Sequence, residues 1–464
     1  MTAPARDYSL TGPESRRAVE AGLADAEWYR SPIGFSELAE LTGRTNLRAA
    51  VDTLLWLGLI FGSGVLAWSL LGSWWAIPAF AVYGALSGGA ADARWHECGH
   101  GTAFRSGLLN DLVYYPASFM LLREPTVWRW SHVRHHSDTI VVGRDAEIVF
   151  PRPMNLRAWA LNLFGLVGVP TLIRRIFRHA RGRLDADVAG YVPDELHRRV
   201  VWEARVFALA IVGILAVCMA ATTAVPLLFV LGPTFYGAWL MSFFGTTQHA
   251  GLAENVLDHR RNTRTVYMNP IFRFLYLNMN YHVEHHMFPS VPYRNLPGLH
   301  EAIRADLPPA TPSTWAAYRE ILTAARGQAD DPAFELERVI PETADTGSVV
   351  VHGVADADGW IRVCTSSELR PGSLREVEVD GVAYVVCRSS SGVVTALDGV
   401  CTHSRRVRLA EGAIVGDELE CAKHNGRFAL ADGSPTRAPV SKPLGCHAVR
   451  DDDGVVHVRI VGQA

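Results

Sequence analysis

The chain has 464 residues, a formal net charge of -3 and a sequence pI near 6.7. This length allows two to three domains, and the near-neutral charge excludes the strongly basic balance of a nucleic-acid-binding protein. The seven cysteines are scattered, and the first fifty residues are polar without a signal-peptide pattern, so we expect a reducing, cytosolic environment for the soluble parts.

Two long stretches without a charged residue dominate the first 260 positions. No Asp, Glu, Lys or Arg occurs in the 39 residues 53–91 or in the 48 residues 206–253. A membrane-spanning helix needs about 20 apolar residues, so each stretch can hold two spans joined by a tight turn. We predict these turns near 72–75 and 221–226. A pair of buried core helices is the alternative, but core helices seldom run this long without a solvated charge.

The distribution of arginine predicts the orientation of the spans. Five arginines lie between positions 174 and 183, whereas the two predicted turns carry no Lys or Arg. By the positive-inside rule, the arginine-rich segment and both chain ends face the cytoplasm, with a bacterial-type inner membrane as the expected location. The shorter apolar runs 112–122 and 158–173 are too short to span, so we expect them in the interface or packed against the bundle.

The composition changes after about residue 325. A charged, proline-containing segment without apolar periodicity indicates a linker, and short alternating runs punctuated by turn residues then predict a small β domain. The predicted fold class is an α-helical integral membrane domain, with four transmembrane helices plus cytoplasmic helices, followed by a small all-β domain. The predicted parts are a cytoplasmic N-terminal segment at 1–50, the membrane domain at 51–325, the linker at 326–349 and the β domain at 350–464.

Three short motifs beside the predicted spans are rich in histidine, and we call them histidine boxes one, two and three: "HECGH", "HVRHH" and "HVEHH". Spacings of three and four residues return to one helix face, and neutral imidazole binds transition metals, so this many donors indicates more than one metal ion. An even number of spans separates the boxes, which places all of them on the cytoplasmic side. The candidate ligands are His96, His100, His132, His135, His136, His282, His285 and His286.

One further histidine is a candidate ligand. His249 lies at the cytoplasmic end of the fourth predicted span, within reach of a metal pair held by the boxes. Glu97 and Glu284 lie inside boxes and are expected to accept hydrogen bonds from imidazole N–H groups. An exposed, arginine-rich loop accounts for His259 without any ligand role, and the remaining histidines outside the boxes are interpreted in the same ordinary way: His179, His197 and His300.

The β region carries a second metal motif. "CTH" supplies Cys401 and His403, and "CAKH" supplies Cys421 and His424. One cysteine and one histidine from each loop suit a Rieske [2Fe–2S] centre, whereas a zinc finger usually pairs Cys with Cys and His with His. The loops lack the two further cysteines of respiratory Rieske domains, which favours a ferredoxin of an oxygenase system. The other cysteines of this region are expected to be small buried apolar side chains: Cys364, Cys387 and Cys446.

The pattern HxxxH, HxxHH and HxxHH around four spans resembles the membrane fatty-acid desaturase superfamily, which includes hydroxylases, over roughly residues 50–310. The resemblance implies two irons held by the histidines of the three boxes and by one more between boxes two and three, which is His249 here. Some desaturases place an Asn four residues before that histidine to hold a metal-bound water. This chain has Gly245 there, a departure that concerns the arrangement of that water.

Within the superfamily, "DHRRNTRTVYMNP" and "NMNYHVEHHMFPSVPYRNLPGLHEAI" resemble oxygenases of rhizopine catabolism, which implies oxidative O-demethylation of a methyl-inosamine. The stretch "CTHSRRVRLAEGAIVGDELECAKHNGRF" is similar to the Rieske ferredoxins that accompany those oxygenases, so the chain resembles the two proteins fused. The expected activity is O₂-dependent hydroxylation or demethylation at a C–H bond by a diiron centre with its own Rieske electron donor. Desaturation of a fatty acyl or lipid-like chain is the alternative.

Several partners follow from this expectation. Oxygen chemistry needs external electrons, and "GSGVLA" at Gly62 imitates a dinucleotide fingerprint but lies inside a predicted span, so we expect a separate NAD(P)H-dependent flavin reductase. The other expected partners are the bilayer and a small-molecule or lipid substrate, and we expect no nucleic acid.

Two rival classes of function exist. "HECGH" also fits HExxH, so an intramembrane zinc protease could use Glu97 as general base, and a pure electron carrier or metal transporter would consume no O₂.

Overall fold

The computed structural model of the protein describes residues 6–24, 26–341, 351–404, 407–423 and 425–460. The chain divides into two compact units. The helical unit comprises Met1–Ala24, Arg44–Val283 and Pro309–Val339. The mixed unit comprises Asp25–Gly43, Glu284–Pro308 and Ile340–Ala464, so it contains two short segments from the N-terminal two thirds of the chain beside the C-terminal β domain.

The helices, in chain order, are α1 (Pro13–Glu20), α2 (Phe35–Leu41), α3 (Asn46–Ser69), α4 (Ala76–Gly84), α5 (Ala91–His100), α6 (Gly107–Met120), α7 (Pro125–Ser137), α8 (Leu156–Asn162), α9 (Gly168–Ala180), α10 (Ala186–Tyr191), α11 (His197–Ala220), α12 (Val225–Val230), α13 (Pro233–Tyr236), α14 (Ala238–His249), α15 (His259–Asn262), α16 (Pro270–Leu275), α17 (His282–Met287), α18 (Leu296–Ile303) and α19 (Thr314–Asp330). The strands are β1 (Val351–His352), β2 (Ile361–Thr365), β3 (Ser373–Val379), β4 (Val382–Arg388), β5 (Val394–Asp398), β6 (Ala413–Val415), β7 (Glu418–Glu420), β8 (Arg427–Ala429), β9 (Pro435–Arg437), β10 (Cys446–Asp452) and β11 (Val455–Arg459).

The helical unit contains the charge-free stretches. Within the described residues, three helical stretches are long and apolar enough to cross a membrane: Asn46–Ser69, Asp194–Ala220 and Val225–His249. The two predicted turns are confirmed, since α3 ends and α4 begins around the first, and α11 ends and α12 begins around the second. The remaining predicted span is not one continuous α-helix, because a π-helical turn, Ala85–Gly89, separates α4 from α5.

Glycines bring the ends of the two apolar hairpins together. A Cβ atom on Gly88, in the π-helical turn, would lie 2.0 Å from the carbonyl oxygen of Pro233 in α13, and one on Gly237 would lie 2.0 Å from the carbonyl oxygen of Gly84. Only glycine permits backbones to approach this closely, as at small-residue contacts between membrane helices. This contact fixes α5, which follows the π-helical turn, relative to α14.

The shorter apolar runs fold as separate helices of the helical unit, where α9 packs through Ile176 against Phe207 and Ile211 of α11. The predicted linker at 326–349 begins within α19, which continues to Asp330. Beyond the helix, Phe334 and Leu336 pack against buried apolar side chains of the same unit, and the backbone N–H of Leu336 donates to the carbonyl of Gly251 at 2.9 Å. The rest of the predicted linker, 342–350, lies outside the described residues.

The β domain consists of two antiparallel sheets in the part that the structure describes, except for the parallel pairing of β1 with β3. The larger sheet has the order β1-β3-β4-β5-β10-β11-β2 and the smaller has the order β6-β7-β8-β9. β3 and β4 form a hairpin with Val379 opposite Val382, and the intervening Asp380 and Gly381 both have positive φ, as a two-residue Asp-Gly turn requires. Phe428 lies in the core of this domain with both motif cysteines.

Candidate metal centres

Four helices place the predicted histidine ligands of the helical unit. α5 carries His96 and His100 one turn apart, α7 carries box two, α14 ends at His249, and α17 begins at His282. His100 is partly exposed, and the other histidines of this unit's boxes are buried. Rigid helices therefore hold imidazoles from four parts of the chain away from bulk solvent, as a preorganised metal site requires.

The first group contains four histidines whose ring nitrogens lie within 4.8 Å of one another: His96, His100, His132 and His136. The Nε2 atom of His132 lies 3.0 Å from Nε2 of His100 and 3.1 Å from Nε2 of His136. Two nitrogens that each bind a metal at about 2.1 Å and subtend a right angle are about 3.0 Å apart. The spacing is therefore that of adjacent ligands on one metal ion.

The second group contains His135, His249 and His282, whose ring nitrogens also lie within 4.8 Å of one another. The ring centroid of His249 lies 5.2 Å from that of His135 and 5.0 Å from that of His282. His249, predicted as the extra ligand between boxes two and three, thus lies with members of both boxes. The two groups share α7, so two neighbouring metal positions fit the donor set.

Acceptors behind the imidazoles orient their rings. Nδ1 of His132 lies 2.9 Å from a carboxylate oxygen of Glu147, and Nδ1 of His135 lies 2.8 Å from one of Asp145. Nδ1 of His249 lies 2.9 Å from the carbonyl oxygen of Asn262. Because these acceptors take the Nδ1–H hydrogen bond, the Nε2 lone pair of each ring is left for a metal. The carboxylate pair is a part of the site that the sequence motifs did not reveal.

Burial also favours metal binding at box two. Burial, with smaller contributions from His96 and His135, holds the pKa of His132 well below its usual value, so its ring is neutral at neutral pH. Burial alone would lower the pKa of His135, but the carboxylate of Asp145 raises it above its usual value. Neutral imidazole is the metal-binding form, and a carboxylate partner increases the basicity of a ligand.

The remaining box-three residues belong to the mixed unit. α17 continues from His282 through His285 and His286, both buried, so each follows His282 within about one helical turn. Glu284 was predicted as an acceptor for an imidazole N–H, and it accepts a short hydrogen bond from Nδ1 of His300. Glu97 is fully buried in α5.

The other histidines have mainly structural contacts. Nδ1 of His179 donates to Glu124 at 2.9 Å, and Nε2 of His197 donates to the carbonyl of Val192 at 2.9 Å. The expectation that His259 lies in an exposed loop is wrong. Its ring is 3 % exposed in the short helix α15, because the loop folds inward and Asn262 donates to the carbonyl of Thr139.

The iron–sulfur motif lies on two loops of the β domain. Cys401 follows β5, and Cys421 directly follows β7; both are buried, while His403 is exposed. A hydrogen bond with the Cys421 thiol, partly opposed by burial, lowers the pKa of Cys401 to about 7. A thiol that ionises near neutral pH suits metal ligation. His424 lies outside the described residues.

The other cysteines of the β domain follow the expectation in part. Cys364 and Cys387 are buried, as predicted for small apolar side chains. The prediction for Cys446 is wrong, because this thiol is exposed at the start of β10. Its strand pairs with β5 there, yet the Cys446 side chain lies on the outer face.

A cavity of about 900 Å³ opens beside the two histidine groups of the helical unit. His132, His135, His249 and His282 line one part of it. Gly245, at the position where some desaturases have Asn, also lines the cavity, and a Cβ atom on it would meet nothing within 4 Å. The glycine therefore leaves open space next to α14 on the cavity side. Polar residues line other parts of the wall: Tyr8, Asn155, Asn162, Arg152, Glu254 and Gln328.

Comparisons with known proteins agree with both metal motifs. A family model of fatty acid desaturases matches residues 72–318, and a family model of Rieske [2Fe-2S] domains matches residues 359–448. Ferredoxin CarAc of Metapseudomonas resinovorans is 34% identical over 99 residues, which are 21% of this chain and 92% of the ferredoxin. Cholesterol 7-desaturase nvd 1 of Ciona intestinalis is 34% identical over 87 residues, 19% of this chain, and the match spans only 18% of that desaturase.

Solved structures match a similar fraction of the chain. The ferredoxin of carbazole 1,9a-dioxygenase from Nocardioides aromaticivorans IC177 is 31% identical, with 22% of this chain and 96% of that chain covered and a TM-score of 0.20. A chain in a complex of reduced oxygenase and oxidised ferredoxin in carbazole 1,9a-dioxygenase is 34% identical, with 22% of this chain and 93% of that chain covered and a TM-score of 0.21. The desaturase family model matches more than half of the residues of this chain. The chain therefore belongs to the fatty acid desaturase family, and it carries a Rieske domain C-terminal to the desaturase domain.

Proposed function

We propose that the protein is a membrane-bound, O₂-dependent diiron oxygenase that hydroxylates or oxidatively demethylates its substrate at a C–H bond, with electrons from its own Rieske domain. The observation that carries the proposal is the pair of neighbouring histidine groups joined by α7. Nitrogen-rich ligation of two ions suits redox iron, and a fused [2Fe–2S] domain is an electron donor for it.

The proposed ligands of the two irons are all nine candidate histidines. The proposed cluster ligands are Cys401, His403, Cys421 and His424. Bound iron would supply the activation of O₂, which protein side chains cannot perform. The chain's own residues fix the imidazoles: Glu147 and Asp145 hold the Nδ1 protons of His132 and His135, so that their Nε2 atoms are available to metal.

One polar part of the cavity wall supports a polar or methylated substrate over a plain acyl chain. Tyr8 donates to Glu254 at 2.8 Å, and Arg152 lies 3.3 Å from the same carboxylate. These groups give one part of the wall hydrogen-bonding capacity, which an acyl chain cannot use and whose burial against apolar atoms is unfavourable. The apolar parts of the wall would hold the carbon skeleton beside the histidine groups.

We further propose four membrane spans, with the metal sites and the Rieske domain on the cytoplasmic side. The second span in chain order would consist of α4, the π-helical turn and the start of α5, since π-helical turns occur within otherwise continuous helices, often beside functional sites. A separate NAD(P)H-dependent flavin reductase would reduce the Rieske domain from that side.

Zinc hydrolysis explains less of the chain. An HExxH protease needs two histidines of one helix and one further ligand around a single zinc. His96 and His100 instead lie with two histidines of α7, and a second group lies beside them. Metal analysis of the purified chain separates the two functions, because hydrolysis predicts about one zinc and only the two irons of the cluster, whereas the proposed function predicts about two further irons and no zinc.

The decisive experiment is turnover under ¹⁸O₂ with a reconstituted reductase over a panel of methylated polyols, inosamines and lipids. Oxygenation predicts label in an alcohol, or in released aldehyde when exchange with water is limited. An alkene with label only in water would establish desaturation instead. His285→Ala is expected to abolish product while the Rieske EPR signal survives, and product formation at the wild-type rate by this variant would refute the diiron assignment.

A further inference from the structure

The N-terminal segment 26–43 lies between two parts of the mixed unit. Its helix α2 packs against α18, which follows the third histidine box, and also against β3 of the β domain. The Asn295 side chain at the start of α18 donates to the carbonyl of Leu41 at 2.6 Å. A segment far away in sequence thus connects the region behind His285 and His286 with the β domain.

Two hydroxyls anchor this segment on the side of the third box. The Tyr29 hydroxyl donates to the Asp306 carboxylate, with oxygen distances of 2.9 and 2.8 Å, and the Ser31 hydroxyl donates to the same carboxylate at 2.6 Å. Ser31 and Asp306 are buried. Hydrogen bonds to a buried carboxylate are strong, so the backbone on both sides of residue 30 is held in place.

Arg30 lies between these anchors and touches both parts. Its guanidinium carbon lies 5.2 Å from the ring centroid of Phe288, and Nη1 donates to the Glu411 carboxylate at 2.7 Å. Phe288 is buried and comes two residues after His286. Glu411 ends a 3-10 turn whose Leu409 packs in the same core cluster as Cys401 and Cys421.

We propose that Arg30 is a positioning residue that holds the Rieske domain against the third-box segment, so that electrons pass within the chain from the cluster to the histidine centre. The proposal rests on the proposed function. With iron and the [2Fe–2S] cluster bound, each transfer would take one electron from the cluster to the irons that the histidines hold, and two transfers, replenished from NAD(P)H through the reductase, would serve one turnover. Arg30 suits this role because it joins one buried aromatic side chain to one carboxylate at the cluster loop.

A partly exposed ion pair contributes little to folding, so its removal should change the docking of the domain more than its stability. The side chain of Arg30 is 20% exposed and that of Glu411 is 34% exposed. Electron transfer slows steeply as the separation of donor and acceptor grows, so a displaced Rieske domain delivers electrons more slowly. Loss of the contact should therefore appear as slower transfer in a folded, fully loaded protein.

The test is flash photoreduction of the Rieske cluster by a deazaflavin in the anaerobic, detergent-solubilised full chain. The readout is the first-order decay of the reduced-cluster absorbance as the electron leaves. Arg30→Glu and Glu411→Arg are each expected to slow this decay about tenfold or more, and the charge-swapped double variant should recover most of the rate. Arg304→Glu is the matched control, because its pair with Glu301 is exposed and lies in the same unit.

Iron content and the integrated cluster EPR signal must stay at the wild-type level in these variants. A wild-type decay rate in Arg30→Glu overturns the inference, and so does loss of iron or cluster, which would make Arg30 merely structural. If Arg30→Glu does not fold, Arg30→Gln replaces it, and an unchanged rate there has the same meaning. Absence of any decay in the fully loaded wild type would instead contradict electron delivery by the Rieske domain, and so the proposed function.

Discussion

Replacing Asp145 by Asn should weaken metal binding in the second histidine group without removing a ligand. One carboxylate oxygen of Asp145 lies 2.8 Å from Nδ1 of His135 and also accepts the Ile140 N–H at 2.8 Å, and the other accepts the Glu147 N–H at 2.7 Å. The side chain is fully buried. Asn has nearly the same shape but is neutral, so the change removes the charge behind the imidazole. Its amide oxygen can keep the hydrogen bonds from His135 and the Ile140 N–H, whereas its NH2 group cannot accept the Glu147 N–H.

The expected magnitude follows from the removal of this negative charge. Loss of a carboxylate partner behind a metal-binding histidine typically costs 10- to 100-fold in metal affinity, which is about 1.4 to 2.7 kcal/mol. The neutral amide still accepts one hydrogen bond, so we expect the lower half of that range. Folding should lose about 1.5 to 3 kcal/mol, because a buried charge-assisted hydrogen bond becomes a neutral one.

Glu124→Gln is the matched control for this change. Glu124 and His179 form another buried carboxylate–imidazole pair, at 2.9 Å, whose histidine belongs to neither metal group. Both variants should lose similar stability, measured by thermal unfolding in detergent, but only Asp145→Asn should lose iron during dialysis against a graded series of chelator concentrations. Equal iron retention in the two variants would refute the assignment of Asp145 as the partner of a metal ligand.

Three further predictions concern packing, a buried arginine and the cluster. Gly88→Ala should lower the stability of the chain by about 1 to 3 kcal/mol, because the new Cβ collides with the Pro233 carbonyl. Gly62→Ala should not destabilise the chain, because a Cβ atom there meets nothing within 4 Å. The midpoints of thermal unfolding of the two variants test this difference. Arg264→Leu should destabilise the chain by about 1 to 3 kcal/mol in denaturant unfolding, because the buried carbonyls of Thr247 and Ala250 lose their donor, while Glu320 stays partly exposed and 3.5 Å from Arg338. Exposed Arg261→Leu should change little. Cys421→Ala should eliminate the Rieske EPR signal and Cys387→Ala should retain it, so a surviving signal in the first variant would contradict the ligand assignment.

The histidine boxes could be predicted because their information is local. A spacing of three or four residues determines a shared helix face whatever the rest of the fold does. The turns of the apolar hairpins could also be predicted, because a run of 39 or 48 residues without a charged side chain leaves few ways to place two spans. His249 could be included because it lies at the end of the second run and because the family resemblance implies a ligand there.

The carboxylates behind the boxes could not be predicted in the same way. Asp145 and Glu147 lie in an irregular segment after α7, where no periodicity assigns a direction to a side chain. An acidic pair about ten residues after a histidine box is a weak signal, since exposed acidic pairs are common. The inward fold of the loop that buries His259 depends on distant contacts, and the outward side chain of Cys446 depends on strand register, so local composition indicated neither.

The form of the boxes follows from helix geometry once two metal groups are recognised. Residues four apart on a helix differ in direction by about 40°, whereas adjacent residues differ by about 100°. In box two, His132 and His136 are four apart and both join the first group, while the adjacent His135 joins the second. A box of the form HxxHH can therefore serve two metal positions from one helix, and HxxxH only one.

Box one obeys the same rule. His96 and His100 are four apart and lie in the same group. In box three, His282 lies in the second group. Under the proposed function, the first metal would therefore take two imidazoles from each of boxes one and two, whereas the second would take one from box two, one from box three and His249.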